Sequence, residues 1–240
     1  MASVGEPLPN LEVYRSLIGK LNFLTHTRPD LSFAVQHLSQ FMQKPCVPHM
    51  KSALHLLRYL NGTSDLGIFL NNSSDFSIQV YCDSDWGSCP DSRRSVTGFY
   101  ILLGSSLVCW KSKKQPVVSL SSAEAGYRSL SKVVTEVTWL ARLLADFGLT
   151  DISSNHVYCD NQAAIHIGKN HVFHERTKHI ELDCHFVRTK LADSLVTLLH
   201  TSSSTLMADV FTKSLPGAAH HSHLSKLGVL SHSNLKGVFG

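Results

Sequence analysis

The stretch FSIQVYCDSDWGSCPDSRRSVTGFYILLGSSLVCWKSKK, residues 76–114, carries the period-two pattern that decides the fold. Phe76, Ile78, Val80 and Cys82 alternate with polar residues, which predicts a strand ending at Asp83. Phe99, Ile101 and Leu103 alternate in the same way, Gly104-Ser105-Ser106 turns the chain, and Leu107–Trp110 runs back, so this part reads as a hairpin.

Downstream, Val117-Val118-Ser119 leads into a long amphipathic helix with Tyr127, Leu130, Val134, Val137, Ala141 and Leu144 on one stripe, closed by Gly148. His156–Cys159 predicts a short strand that stops at Asp160. A helical stretch follows, interrupted near Gly168 and resuming through Ile180, Val187 and Leu191. Leu195–Leu199 reads as another strand, and a short helix around Met207–Leu215 ends at Pro216-Gly217. The order from residue 76 onward is βββαβαβα, which requires an α/β fold: a mixed sheet with helices on both sides. Upstream the period is helical instead. Three runs, in Tyr14–Thr25, Leu31–Met42 and Met50–Leu60, are broken by Arg28-Pro29-Asp30 and by Pro45 and Pro48. The turn-rich 71–75 segment marks a boundary. The expected organisation is a helical appendage over 1–75, the α/β domain over 76–216, and a tail over 217–240.

Composition agrees with a globular chain: 43% hydrophobic and 17% charged residues over 240 positions exclude bulk disorder. The formal charge of +4 is compatible with a polyanionic partner. No run approaches the roughly 18 apolar residues of a membrane span, and the first ten residues lack the basic and apolar regions of an export signal. We therefore expect an intracellular protein, cytoplasmic or nuclear and not secreted, whose six scattered cysteines are free thiols.

Acidic residues occupy positions of one kind. Asp83 and Asp160 end two predicted strands; if these are parallel neighbours, both carboxylates emerge at one rim, where ligands of open α/β sheets gather. Glu124 lies in the first turn of the long helix and Asp209 in the first turn of the last one. Converged carboxylates repel one another unless a cation intervenes, and an oxygen-only donor set suits magnesium, or manganese in its place. Two such ions activate water and stabilise the leaving oxygen in phosphodiester hydrolysis. The same residues also have a structural explanation. Ser121 and Glu124 fit a capping box, and Asp160 and Asp209 fit ordinary helix caps.

The strings YRSLIGKLNFLTHTRPDLSFAV (14–35), YCDSDWGSCPDSRRSVTGFYILLG (81–104), WKSKKQPVVSLSSAEAGYRSL (110–130), YCDNQAAIHIGKNHVFHERTKHIELDCHFVR (158–188) and LMADVFTKSLP (206–216) cover nearly the whole chain. They resemble the C-terminal part of the Pol polyprotein of copia-type long-terminal-repeat retrotransposons. The resemblance implies the tail of a reverse transcriptase over residues 11–70 and a ribonuclease H-like domain over 76–215. It implies an endonuclease using two magnesium ions to cut the RNA strand of an RNA–DNA hybrid, leaving 3′-hydroxyl and 5′-phosphate ends. Its metal ligands fall on Asp83, Glu124, Asp160 and Asp209, with Asp85 an alternative for the first. His200 is similar in placement to the family's loop histidine, which assists proton transfer or product release. The partners implied are the hybrid and an upstream polymerase palm, within a virus-like particle. The palm and its catalytic aspartates are missing, so no DNA synthesis is expected of this chain. Gly126 stands where the family usually has an acid, which leaves an alternative: an inactive ribonuclease H-fold remnant that binds nucleic acid or does nothing.

His171, His174, His179, Cys184 and His185 lack the tight pair spacings of zinc sites and are expected on a helix surface or against substrate. Arg93-Arg94 and Lys111, Lys113 and Lys114 could hold phosphates or form a solvated hairpin rim. Trp86 and Trp110 are expected in the core, with stacking on nucleic acid as the other role.

Overall fold

The computed structural model describes residues 5–72, 74–149, 155–170, 181–203 and 205–231. Alternation of apolar residues builds the central sheet from β2 (Ile78–Asp85), β3 (Val96–Leu103), β4 (Ser106–Lys114), β5 (Asn155–Cys159) and β6 (Val196–His200), in the order β4-β3-β2-β5-β6. The first three strands are antiparallel neighbours, while β2–β5 and β5–β6 are parallel. Helices α4 (Ser122–Asp146), α5 (Gln162–Lys169) and α6 (Glu181–Ala192) make the connections, giving the ribonuclease H-like α/β arrangement expected from the sequence.

The period of two sends successive side chains to opposite faces. Ile78, Val80, Cys82, Phe99 and Ile101 pack on one face against α4, α5 and α6. Tyr81 and Tyr100 point the other way, toward Val210, Phe211 and Leu224. On that face Tyr81 stacks between Tyr100 and Tyr158, with ring centroids 4.8 and 4.7 Å away.

Three features differ from the sequence expectation. Strand β2 does not stop at Asp83 but continues to Asp85, which pairs with Val96 of β3. The last predicted helix is a 3₁₀ helix over Met207–Phe211. The 217–240 segment contains helix α7 (Gly217–Lys226) and strand β7 (Val229–Ser231), and β7 pairs antiparallel with β1 (Leu66–Ile68). Leu224, Leu227 and Val229 of this segment are buried in the second core.

Helices α1 (Leu11–Leu24), α2 (Ser32–Ser39) and α3 (Val47–Gly62) enclose their own core around Tyr14, Ile18, Leu21 and Val35. Arg28-Pro29-Asp30 does more than break the chain here. Arg28 donates to both oxygens of Asp30 at 2.9 and 2.7 Å and to the Thr63 carbonyl at 2.8 Å, and the Tyr59 hydroxyl donates to Asp30 at 2.8 Å. This buried network clamps the α1–α2 connection to the end of α3. The helices dock on β4, where the Trp110 indole N–H donates to the Thr25 carbonyl at 2.9 Å. All six cysteines are free. Among the described residues no helix is long and apolar enough to cross a membrane.

Candidate active site

Parallel pairing of β2 with β5 sets Cys82 opposite Cys159. The next residues are Asp83, still within β2, and Asp160, just past the end of β5, so the two acids stand on adjacent strands near one rim of the sheet. The buried Cys82 thiol lies close enough to feel both. Its hydrogen bond with Cys159 and its burial push its titration up, and the charges of Asp83 and Asp160 add to that.

Asp209 reaches the same corner through the 3₁₀ helix. A Cβ on Gly98 would stand 2.5 Å from Thr212 Cγ2 and 2.8 Å from Phe211 Cβ, so only glycine at β3 lets this helix lie so close. In consequence the Thr212 hydroxyl donates to Asp83 Oδ2, and Lys213 Nζ sits 2.9 Å from Asp209 Oδ1. Burial raises the Asp83 carboxyl above its ordinary range; Asp209 adds to the rise, while Thr212 and Lys213 oppose it. Asp85, alternating onto the same face as Asp83, is likewise raised by burial. Partial burial pulls the Lys213 ammonium down, but Asp209, Asp83 and Asp85 outweigh that and hold it above the ordinary lysine value.

Glu124 enters from helix α4 and is 5% exposed. The cap of this helix is the Ser121 hydroxyl, which accepts from the Glu124 N–H at 3.1 Å. The Glu124 carboxylate accepts from the Leu120 N–H at 2.9 Å and pairs with Arg128 at 3.0 Å, one turn along. Four hydrogen bonds tie this helix start to the strand ends. The Ser129 hydroxyl donates to the Asp83 carbonyl, Gln115 Nε2 bridges Ser84 and the Ala125 carbonyl, and Asn161 Nδ2 donates to the Ser122 carbonyl. Gly126 belongs to this junction: a Cβ there would meet Asn161 Nδ2 at 3.0 Å and Ala164 Cβ at 3.2 Å.

The capping explanation divides among the acids. Asn161, rather than Asp160, caps α5 by accepting from the Ala164 N–H at 2.9 Å. Asp160 accepts from the Ser203 hydroxyl at 2.8 Å. No side chain caps the 3₁₀ helix that carries Asp209. His200 ends β6 in register with Cys159 and is exposed, one strand beyond Asp160.

The corner is thus built from oxygen donors, the ligand type of a hard divalent cation, and it holds positive charges of its own, Lys213 beside Asp209 and Arg128 beside Glu124. Its acids are not gathered into a cage. Among the described residues no three His, Cys, Asp or Glu side chains stand close enough to hold one metal ion. Asp83 and Asp209 are brought together with Lys213, Asp160 stands at the end of the neighbouring strand β5 and is held by Ser203, and Glu124 is turned to Arg128. Four residues of this corner were not singled out from sequence: Thr212, Lys213, Arg128 and Ser203. Two of them carried a signal, since Glu124/Arg128 and Asp209/Lys213 are both four apart, the spacing of ion pairs on a helix face.

Trp86, expected in the core, is 51% exposed and donates its N–H to the Ser119 carbonyl at 3.0 Å, beside the loop before Glu124. His171, His174 and His179 lie outside the described residues.

No family model matches the chain. It is 40% identical over 226 residues to the retrovirus-related Pol polyprotein from transposon RE2 of Arabidopsis thaliana, a match covering 94% of this chain and 16% of the polyprotein. With the corresponding polyprotein from transposon TNT 1-94 of Nicotiana tabacum it is 36% identical over 223 residues, 92% of this chain and 16% of that one. The chain therefore spans about a sixth of the length of these relatives. Among solved structures it is similar to LC11-RNase H1, isolated from compost, with a TM-score of 0.45 and 13% identity over 62% of this chain and 99% of that one. The strand order, rather than this superposition, identifies the fold. Identity of 36–40% sustained along more than nine tenths of the sequence means that the chain belongs to the retrovirus-related Pol polyproteins of copia-type retrotransposons.

Proposed function

We propose that this chain carries a metal-dependent endonuclease that hydrolyses the RNA strand of RNA–DNA hybrids, as part of a retrotransposon polyprotein. The observation that carries the reading is the position of Asp83 and Asp160, each one residue beyond the in-register pair Cys82 and Cys159 of adjacent parallel strands, with Asp209 held beside Asp83 through Thr212. Two magnesium ions held by Asp83, Glu124, Asp160 and Asp209 would supply water activation and neutralisation of the leaving oxygen, and manganese shares their preference for oxygen ligands.

The chain's own groups prepare that site. Asp83 is held by Thr212 and Asp160 by Ser203, so each keeps its direction before substrate arrives. Lys213 offsets the repulsion between Asp83 and Asp209, a role that a bound cation would take over. Glu124 would serve the site only by giving up its pairing with Arg128, and the guanidinium would then be available to a phosphate. His200, exposed beyond Asp160, is placed to move a proton at the rim. The hybrid, an upstream polymerase palm and an intracellular particle are the partners and setting of this reading.

A second reading, an inactive fold remnant that binds nucleic acid, is favoured by one observation: the Glu124 carboxylate is engaged by Arg128 and the Leu120 N–H. Incubating the purified chain with a labelled hybrid, with and without magnesium, separates the two. Magnesium-dependent RNA fragments support the nuclease; retention of intact hybrid in both conditions supports the remnant.

A further inference from the structure

Two concavities meet along strand β4. One, of about 360 Å³, runs between β4 and helix α4 and is lined by Arg128 and Lys132 together with Lys111, Lys113 and Lys114. The other, of about 700 Å³, lies between β4 and helices α1 and α2 and is lined by the same three lysines. All three lysines lie on the strand that the two concavities share, with Lys111 reaching Glu136 of α4 and Lys114 reaching Gln40 beyond α2.

The charge of this surface is unbalanced. Five cationic side chains line the two concavities against two carboxylates, Glu136 and Asp183. Glu136 pairs with Lys111 at 3.3 Å, and Asp183 lies 4.0 Å from Arg128. Lys114 donates to Gln40 Oε1 at 2.6 Å and to Cys89 Sγ at 2.9 Å. Lys113 and Lys132 are exposed and have no acidic partner among the described residues. The larger cleft adds a second, independent feature. Ser32 Oγ, Gln36 Oε1 and Ser112 Oγ are buried in its walls with no hydrogen-bond partner, and Ser32 is 8% exposed. Buried polar atoms in this condition lack the compensation that folded proteins normally provide; they are covered as the cleft stands, and a polar ligand there would supply it only when their side chains turn toward it.

We propose that the two concavities form one track for the phosphodiester backbone of the hybrid. Lys113 and Lys132 contact phosphates, and Ser32, Gln36 and Ser112 hydrogen-bond the strand where it enters the cleft. Arg128, at one end, joins the track to Glu124 of the candidate active site; the α1–α2 helices form the other end. The helical segment is then part of the substrate-binding surface rather than a passive appendage. The track rests on the nuclease reading only for the identity of the nucleic acid, since phosphate contacts do not require cleavage.

The test is binding of full-length chain to a labelled RNA–DNA hybrid without magnesium, by fluorescence anisotropy across a salt series. Each lost phosphate contact should lower the log–log salt slope by about 1, so Lys113→Gln/Lys132→Gln should lower it by about 2. Lys226→Gln, on helix α7 away from the track, should leave it unchanged. Ser32→Ala removes a buried hydroxyl that makes no internal bond, and should weaken binding without lowering Tm. A double variant with the wild-type slope, or a wild type that binds no hybrid, overturns the track. Because magnesium is omitted, a chain that binds with the expected slopes but never cuts RNA leaves the track standing and removes only the nuclease reading.

Discussion

Thr212 Oγ1 donates a hydrogen bond to Asp83 Oδ2 across 129 residues of sequence, through an approach that the missing side chain of Gly98 makes possible. Gly98→Ala would push Phe211 and Thr212 outward, and with them Asp209. Overpacking of this kind costs about 1–3 kcal/mol. The expected result is a lower Tm in thermal denaturation, together with slower hybrid cleavage at a temperature well below both transitions. An unchanged Tm would contradict the close approach.

Burial holds the Asp83 carboxyl above its ordinary value of 3.8. A raised folded-state value means that the contribution of this group to stability is complete below the unfolded value and is lost as pH rises through the folded one. At neutral pH the buried charge therefore weakens the metal-free fold. Asp83→Asn keeps an acceptor for Thr212 and removes the charge, so it should raise Tm at pH 7, with the difference shrinking at pH 3, while cleavage is lost. Denaturation of both proteins across that range checks it; a variant less stable than wild type at pH 7 speaks against the burial argument.

Ser203 acts on Asp160 through a single hydrogen bond of 2.8 Å. Partners that orient metal-binding groups typically contribute 10–100-fold to affinity or activity. Ser203→Ala should reduce cleavage by about tenfold or more and raise the magnesium concentration needed for half-maximal rate. If the magnesium dependence stays where it was, Ser203 does not orient Asp160.

The Arg28–Asp30 pair lies in the helical segment, far in sequence from every candidate ligand. Both residues are buried, at 7% and 6% exposure. Removing one partner of a buried ion pair typically costs about 3–5 kcal/mol. Asp30→Ala should therefore unfold at markedly lower denaturant concentration, whereas an exposed pair such as Lys190–Asp193 should tolerate Asp193→Ala within about 1 kcal/mol.

How much of this was legible in the sequence depends on whether the determinant is local. The alternation through Ile78, Val80 and Cys82 and the helical stripe through Tyr127, Leu130 and Val134 reveal the sheet and its principal helix, because each pattern is complete within one segment. The pairing of β1 with β7 is not legible: each strand has three residues, and the whole five-stranded sheet lies between them in sequence. In the sequence the clamp at Arg28 shows only as a chain break, because its partner Thr63 is 35 residues away. The acids were visible at strand ends and helix starts, but not their neighbours. Thr212 and Ser203 carry no local signature, and they reach Asp83 and Asp160 only because β-pairing and the gap at Gly98 fold those segments together.

The most direct measurement compares RNA-strand cleavage of a labelled hybrid by the wild type and by Asp160→Ala, both in magnesium. Asn161, not Asp160, caps helix α5, so the variant should keep the wild-type circular dichroism. The account predicts metal-dependent cutting by the wild type and a loss greater than a hundredfold in the variant, beyond the range that partners outside the ligand set produce. Full activity in a folded Asp160→Ala protein would contradict it.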